Sequence, residues 1–128
     1  MGYNWNSDFS VIALQKRKGY EPGQSDIFLK EIYDHVKANL DDPGFDIIML
    51  AERLHLSVSQ LFRRIKALTC KSTAIYIRSI RLQVARELLR NTLLSIAEIA
   101  YKTGFNDPSY FTRCFCKEFG SPPGKMRK

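Results

Sequence analysis

The chain has 128 residues, 45% of them hydrophobic, which suffices for one modest core or two very small ones. Its longest apolar runs fall well short of the roughly 20 residues that span a bilayer, and no apolar stretch follows a basic start, so the sequence predicts a cytoplasmic protein. The net charge is +7, and after residue 44 there are 15 Lys and Arg against 6 Asp and Glu, which favours a polyanionic partner, nucleic acid before an anionic membrane surface.

The cysteines do not predict a metal site or a disulfide. Cys114 and Cys116 are two residues apart, and on a helix such side chains point about 200° away from each other. Together with Cys70, His35 and His55 they form no spacing typical of zinc ligands. We therefore expect no metal and no cofactor.

Residues 1–24 lack a hydrophobic period and end in a stretch rich in Gly and Pro, which favours a linker or the tail of an upstream region. The folded domain is predicted to cover residues 25–128. Ser25 or Asp26 should cap its first helix, which should end at the break signal of residues 41–44. Its apolar residues at helical spacing are Ile27, Phe28, Ile32, Val36 and Leu40.

A first pair of helices is predicted at about residues 46–70. Asp46 should cap a short helix that contains Leu50 and Ala51. Ser57, followed three residues later by Gln60, has the form of a capping box and should open a second helix from Val58 to about Thr69.

A long connector helix is predicted at about residues 72–91, opened by Ser72 and carrying a wide apolar stripe. At 1.5 Å per residue it would span roughly 27 Å and hold its neighbours apart. For most of its arginines we expect a solvated or salt-bridged face, with phosphate contact left open for some: Arg78, Arg81, Arg86 and Arg90.

A second pair of helices is predicted at about residues 95–120. Ser95 and Glu98 form another capping box, and the helix should reach Thr103 before Gly104. Asp107 should cap the last helix with Pro108 at its first position. Because no segment shows a sustained period of two, the fold class should be all-α.

The two pairs are a repeat. Ala51 aligns with Ala100 at an offset of 49. After the turn the offset is 50, which aligns Ser57, Leu61, Arg63 and Ile65 with Asp107, Phe111, Arg113 and Phe115. This is the helix-turn-helix plan written twice. Gly104 supplies the permissive turn backbone in the second copy, and His55 or a neighbour should do so in the first.

Helical wheels divide each second helix into a core arc and a polar arc. In the last helix the core arc should hold Tyr110, Phe111, Cys114, Phe115 and Phe119, with Glu118 among them. The polar arc should hold Ser109, Thr112, Arg113, Cys116 and Lys117. In the earlier helix Leu61, Ile65 and Leu68 should be buried, whereas Ser59, Phe62, Arg63 and Lys66 should be exposed.

Several side chains on these arcs suit DNA. Phe62 either touches a thymine methyl group or folds back onto the core edge. Arg63 and Arg113 occupy the same slot, where a guanidinium could pair with guanine, hold a phosphate or remain solvated. Arg64, nearer the inner boundary, should have an intramolecular partner.

Three segments in this order resemble the AraC/XylS family of transcription regulators over about residues 45–123: LAERLHLSVSQLFRRIKALT, RLQVARELL and SIAEIAYKTGFNDPSYFTRCFCKEFGSPP. The resemblance implies two homeodomain-like helix-turn-helix subdomains that bind double-stranded DNA sequence-specifically and activate, or sometimes repress, nearby genes. By position, the first reading helix would contribute Ser59, Phe62 and Arg63. The second would contribute Pro108, Ser109, Thr112 and Arg113.

The segment SQLFRRIKALT, with the helix before it, looks most like the output domains of hybrid two-component sensor regulators. The isolated module, with two reading helices, should bind as a monomer, whereas the full regulator could be dimeric and could contact RNA polymerase. Two positions depart from the family pattern. Cys70 replaces the usual Gly that ends the first reading helix, and Met126 replaces an aromatic residue near the end.

Two other classes of function were weighed. A helical protein-interaction module could dock an acidic partner through the basic arcs. An enzyme is not expected, since the sequence holds no P-loop, no HExxH and no arrangement of nucleophile, base and orienting residue.

Overall fold

The computed structural model describes residues 23–42 and 44–127, and every regular element in these ranges is a helix. This confirms the all-α prediction. The predicted linker falls almost wholly on residues 1–22, which lie outside the described residues, as do Pro43 and Lys128. The helices are α1 Gln24–Ala38, α2 Ile47–Arg53, α3 Val58–Thr69, α4 Thr73–Asn91, α5 Ile96–Lys102, α6 Pro108–Phe119 and α7 Pro123–Met126.

The chain forms two compact units that are not simple consecutive blocks. The first contains residues 23–35 and 47–76, and the second contains residues 36–46 and 77–127. Helix α4, which the sequence predicts as a rigid spacer between the two pairs, contributes its residues up to Tyr76 to the first unit and those from Ile77 to the second. The end of α1 and the turn after it also belong to the second unit, which periodicity did not predict.

The core of the first unit is built from α1, α2, α3 and the start of α4. Its fully buried side chains include Ile32, Leu50, Leu61, Ile65 and Tyr76. Aliphatic side chains at helical spacing thus place one face of each helix inward, as the wheels predicted for α3.

Helix α1 differs from its prediction at two points. It begins at Gln24, before the predicted caps, and Asp26 lies inside the first turn, where its Oδ2 accepts a bond from the Gly23 amide at 3.3 Å. Ile27 was predicted in the apolar stripe but is 46% exposed. The buried face is turned slightly, so that Leu29 and Tyr33 join it instead.

The core of the second unit is a cluster in which aromatic rings from α6 and the preceding turn meet α4 and α5. Phe111 and Phe115 are fully buried, and the ring centroids of Phe105 and Phe111 lie 5.1 Å apart. Phe119 continues the chain of rings at 4.6 Å from Phe115. Met126 packs against this cluster, so α7 forms with Met in place of the family's aromatic residue.

Arg81 is the largest departure from the prediction of a solvated face on α4. It is only 7% exposed. Its Nη1 donates to the carbonyl oxygens of Leu40 at 2.5 Å and Thr103 at 3.0 Å, and its Nη2 donates to Phe45 at 3.5 Å. Burial lowers the pKa of Arg81, while the nearby Asp42 carboxylate opposes that shift. These bonds tie the turn after α1 to the second unit.

Arg86 was also expected on the solvated face. Its guanidinium instead stacks on the Phe119 ring, 4.6 Å from the centroid. Arg90 does remain exposed near the end of the helix. Within the described ranges, no helix is long and apolar enough to cross a membrane.

Candidate nucleic-acid interface

Both units build their turn with the same backbone bonds. The Leu56 amide donates to the Ala51 carbonyl at 3.0 Å, and the Phe105 amide donates to the Ala100 carbonyl at 2.9 Å. The residue before each amide is left-handed, with φ of 58° at His55 and 88° at Gly104. This confirms the predicted turn positions and the repeat that aligns them.

The helices after the turns begin at the predicted caps. Ser57 Oγ accepts from the Gln60 amide at 3.1 Å, and Gln60 Oε1 accepts from the Ser57 amide at 2.9 Å. Asp107 Oδ1 accepts from the Ser109 amide at 2.9 Å, with Pro108 at the first helical position. Each cap satisfies amides that the first turn leaves unpaired, so the starts of α3 and α6 are well defined.

Helix α3 presents the predicted polar arc to solvent. Ser59, Arg63 and Lys66 are exposed, and Phe62 is 43% exposed. Phe62 lines a shallow, largely apolar concavity with Val58, Ser59 and Arg63. Of the two alternatives for Phe62, the ring therefore takes the outward one.

The end of α3 closes on residues that the wheel did not place. Thr69, rather than Leu68, is fully buried, and its Oγ1 donates to the Ile65 carbonyl at 2.8 Å. Cys70, where the resemblance leads one to expect Gly, takes the left-handed conformation that favours glycine, with φ of 61°. Lys66 Nζ donates to the Cys70 carbonyl at 3.2 Å.

Arg64 has the intramolecular partner that the sequence predicted. Its guanidinium lies over the Phe28 ring, 3.9 Å from the centroid. Two adjacent arginines of α3 therefore differ in their contacts. Both are exposed, but Arg63 lies on the polar arc, whereas the Arg64 guanidinium is stacked on a ring of α1.

Helix α6 repeats this division. Phe111 and Phe115 are fully buried, in the slots that Leu61 and Ile65 hold in α3. The polar arc divides by exposure: Ser109, Arg113 and Lys117 are exposed, whereas Thr112 and Cys116 are half-buried. Pro108, at the start of the helix, is also half-buried.

Tyr110 was predicted in the core arc and is 42% exposed. Its hydroxyl accepts a bond from Arg78 Nη1 at 3.3 Å, and the Arg113 guanidinium lies 5.8 Å from its ring centroid. The prediction missed Arg78 as a partner of Tyr110 because these two residues are 32 positions apart in the sequence. No local pattern indicates such a contact.

The cysteines carry no chemistry visible in the structure. Cys70, Cys114 and Cys116 are free. In the part of the chain that the structure describes, no group of three or more His, Cys, Asp or Glu side chains could hold a metal ion.

Comparison with known proteins gives a consistent family. Residues 50–128 match the family described as "Helix-turn-helix domain". Histidine kinase P4 from Formosa agariphila is 35% identical over 99 residues, which make up 77% of this chain and 7% of that protein. The HTH-type transcriptional activator RhaS from Escherichia coli is 31% identical over 116 residues, or 91% of this chain and 40% of RhaS. The chain thus spans only part of the length of these relatives.

Solved structures of similar fold point to the same family. A transcriptional regulator from Chromobacterium violaceum, described as having an AraC-type DNA-binding domain, has a TM-score of 0.74 at 28% identity, covering 80% of this chain and 91% of that one. The DNA-binding domain of AdpA, solved in complex with a target DNA, has a TM-score of 0.68 at 28% identity, covering 77% of this chain and 87% of that one.

Proposed function

The chain belongs to the AraC-type helix-turn-helix family of DNA-binding transcription regulators, and we propose that it reads a specific DNA sequence with α3 and α6, one in each of two successive major-groove segments. Such segments recur about 34 Å apart along one face of the duplex. Domains of this family are not enzymes, and the site is accordingly assigned to binding alone.

The observation that carries this proposal is the repetition of one exposed slot. Arg63 and Arg113 occupy equivalent places midway along α3 and α6, and both are exposed. Both helices begin at a side-chain cap and bury the residues two before and two after that arginine. Because the two guanidiniums point outward from equivalent positions, each is suited to the same contact, a bidentate pair of hydrogen bonds to O6 and N7 of a guanine.

The other side chains of the two arcs are assigned by their chemistry. The exposed ring of Phe62 suits the methyl group of thymine, and Ser59, Ser109 and Thr112 suit base edges or phosphates. Lys66 and Lys117 suit phosphates, with Lys66 leaving the Cys70 carbonyl or sharing it. Pro108, at the first turn of α6, suits apolar contact with the groove.

We further propose that the module acts in the cytoplasm as the output end of a larger regulator. RhaS, of which the chain matches 40%, is named as an activator, which favours activation here. The similarity to part of a histidine kinase favours a hybrid two-component sensor as the larger protein.

RNA polymerase is a candidate partner. The module itself should bind DNA as a monomer, while the whole regulator could be a dimer.

The test is selection of duplexes from a randomised library by the purified chain, followed by the same selection with Arg63→Ala and Arg113→Ala. The wild type should enrich two short blocks about one helical turn apart. Each variant should lose preference in a different block, with about 1–3 kcal/mol of discrimination lost at the affected base pair.

Arg64→Ala is the matched control, because it removes the same charge one residue from Arg63 but from a side chain stacked on Phe28. It should keep the base preference of the wild type. Unchanged preferences in both Arg63→Ala and Arg113→Ala would reject the assigned reading. Failure of the wild type to enrich any site would favour the alternative, a basic surface that docks an acidic protein.

A further inference from the structure

Beside α6 there is a shallow concavity whose wall carries two arginines and one tyrosine. Arg78, Tyr110 and Arg113 line it, together with Asn106 and the cap Asp107. The Asp107 carboxylate is engaged in the helix cap through the Ser109 amide. In residues 23–42 and 44–127, no carboxylate forms an ion pair with either arginine. Two guanidiniums and one carboxylate, that of Asp107, line the concavity, so its net charge is positive.

Tyr110 links the two arginines. Its hydroxyl oxygen accepts from Arg78 Nη1 at 3.3 Å, and Arg113 lies over the ring at 5.8 Å from the centroid. The inner edge of the ring approaches Phe105, with 6.2 Å between centroids. The Tyr110 ring therefore contacts the core through Phe105. Its hydroxyl contacts Arg78, and its ring face contacts Arg113.

The hydrogen-bonding state of these groups favours an anion. A tyrosine hydroxyl that accepts a bond still has its own proton to donate, and a guanidinium that has used one N–H has four left. Donors without acceptors, arranged as a planar fork beside a hydroxyl, match the oxygens of a phosphate.

We infer that Arg78 and Tyr110 bind a backbone phosphate of the DNA next to the base pair read by Arg113, with Tyr110 positioning both arginines. The inference rests on the proposed function, which places α6 in the major groove. It adds a phosphate contact from α4 that lies outside the two polar arcs. Because phosphates flank every base pair, a guanidinium in the same concavity as the base reader is suitably placed to contact one of them.

The first experiment is a salt titration of binding to the selected duplex by the wild type, Arg78→Ala, Tyr110→Phe and the double variant. Each phosphate contact contributes about 0.9 to the slope of log affinity against log salt. Arg78→Ala should lower the slope by about 1, so that the factor by which affinity falls between about 50 and about 200 mM salt is about fourfold smaller than for the wild type. Base preference in both blocks should be retained.

Tyr110→Phe keeps the ring and removes only the hydroxyl. It should reproduce part of the effect of Arg78→Ala and add nothing to it in the double variant, since the two groups act on one phosphate. Lys125→Ala is the control, because it removes one charge from an exposed side chain on α7. It should leave the slope of the wild type unchanged.

The second experiment replaces single phosphates of the selected duplex by neutral methylphosphonates. The wild type should lose affinity at one position beside the block that Arg113→Ala relaxes, and Arg78→Ala should not respond there. A wild-type slope and an unchanged methylphosphonate profile in Arg78→Ala would overturn the inference while the proposed function stands. If the wild type selects no site at all, the proposed function fails and the inference fails with it.

Discussion

The two helix-turn-helix units share a backbone but not the residues that make it easy to form. Each has a left-handed residue in its turn and another at the end of its second helix. The second unit uses Gly104 and Gly120, with φ of 88° and 80°, whereas the first uses His55 and Cys70, with φ of 58° and 61°. The turn bonds, not glycine itself, therefore define the motif, because His55 adopts the same left-handed backbone as Gly104 while carrying a side chain.

Room differs sharply between the two glycines. A Cβ at Gly104 would overlap Arg81 Nη1 and lie 2.7 Å from the Leu40 carbonyl oxygen. A Cβ at Gly120 would meet nothing within 4 Å. Position 104 therefore requires glycine for two reasons, the nearby Arg81 side chain and the left-handed backbone. Position 120 favours glycine only because of its left-handed backbone.

The largest effect is expected for Gly104→Ala. The methyl group would both strain the turn and displace Arg81 from carbonyls that are then left unpaired, so the free energy of unfolding should fall by about 3 kcal/mol or more. Gly120→Ala should cost only about 1 kcal/mol, the strain of a left-handed alanine. Denaturant unfolding of both variants measures the difference, and equal losses would mean that Arg81 does not restrict the turn.

An intermediate effect of opposite sign is expected for Cys70→Gly. Relief of left-handed strain should raise the free energy of unfolding by up to about 1 kcal/mol, reduced by the greater freedom of glycine in the unfolded chain. Cys70→Ala keeps the Cβ and should bring no gain. A gain in Cys70→Ala equal to that of Cys70→Gly would assign the effect to the thiol instead of the backbone.

The smallest expected effect concerns the pH dependence of stability, in which the two capping boxes should differ. Backbone and side-chain hydrogen bonds from Ser95 to its carboxylate lower the pKa of Glu98, whereas the box at Ser57 uses the neutral Gln60. Because the folded pKa is depressed, the contribution of Glu98 is present above the unfolded pKa, about 4.3, and is lost as the pH falls through the folded value.

Thermal unfolding near pH 7 and near pH 3 tests this difference. Glu98→Gln should be slightly less stable than the wild type near neutrality and equal to it in acid. Gln60→Glu should introduce the same dependence into the first unit. A wild type and a Glu98→Gln variant that differ equally at both pH values would contradict the assignment.

The caps and turns could be predicted because each depends on residues within a few positions. The start of a helix is indicated by a local pattern alone, such as Ser57 with Gln60 or Asp107 with Pro108. The outward slots of Arg63 and Arg113 follow equally from the helical period and the repeat. Fold class and the two polar arcs were therefore within reach of the sequence.

What the sequence missed depends on contacts between distant segments. Arg81 looked like its neighbours on α4, and only the carbonyls of residues 22 to 41 positions away make it an interior residue. Tyr110 lies at the border of two arcs, where a small rotation decides exposure, and Arg78 holds it on the outer side. The exposure of most residues on the two polar arcs could thus be predicted, whereas the neighbours of Arg113 could not, and the assignment of these residues to DNA stays a prediction.

The three carbonyls on Arg81 also make the second unit discontinuous along the chain. Leu40 and Phe45 lie between α1 and α2, whereas Thr103 follows all the helices of the first unit, so the guanidinium closes a loop of 41 positions. During synthesis the early part of this contact leaves the ribosome long before its partner, and closure must wait for α4 and α5. Because non-local closure slows folding, we expect docking of Arg81 to be a late step. A fragment cut at Ile77 would have all of α5 and α6 and still lack two of the acceptors that Arg81 requires.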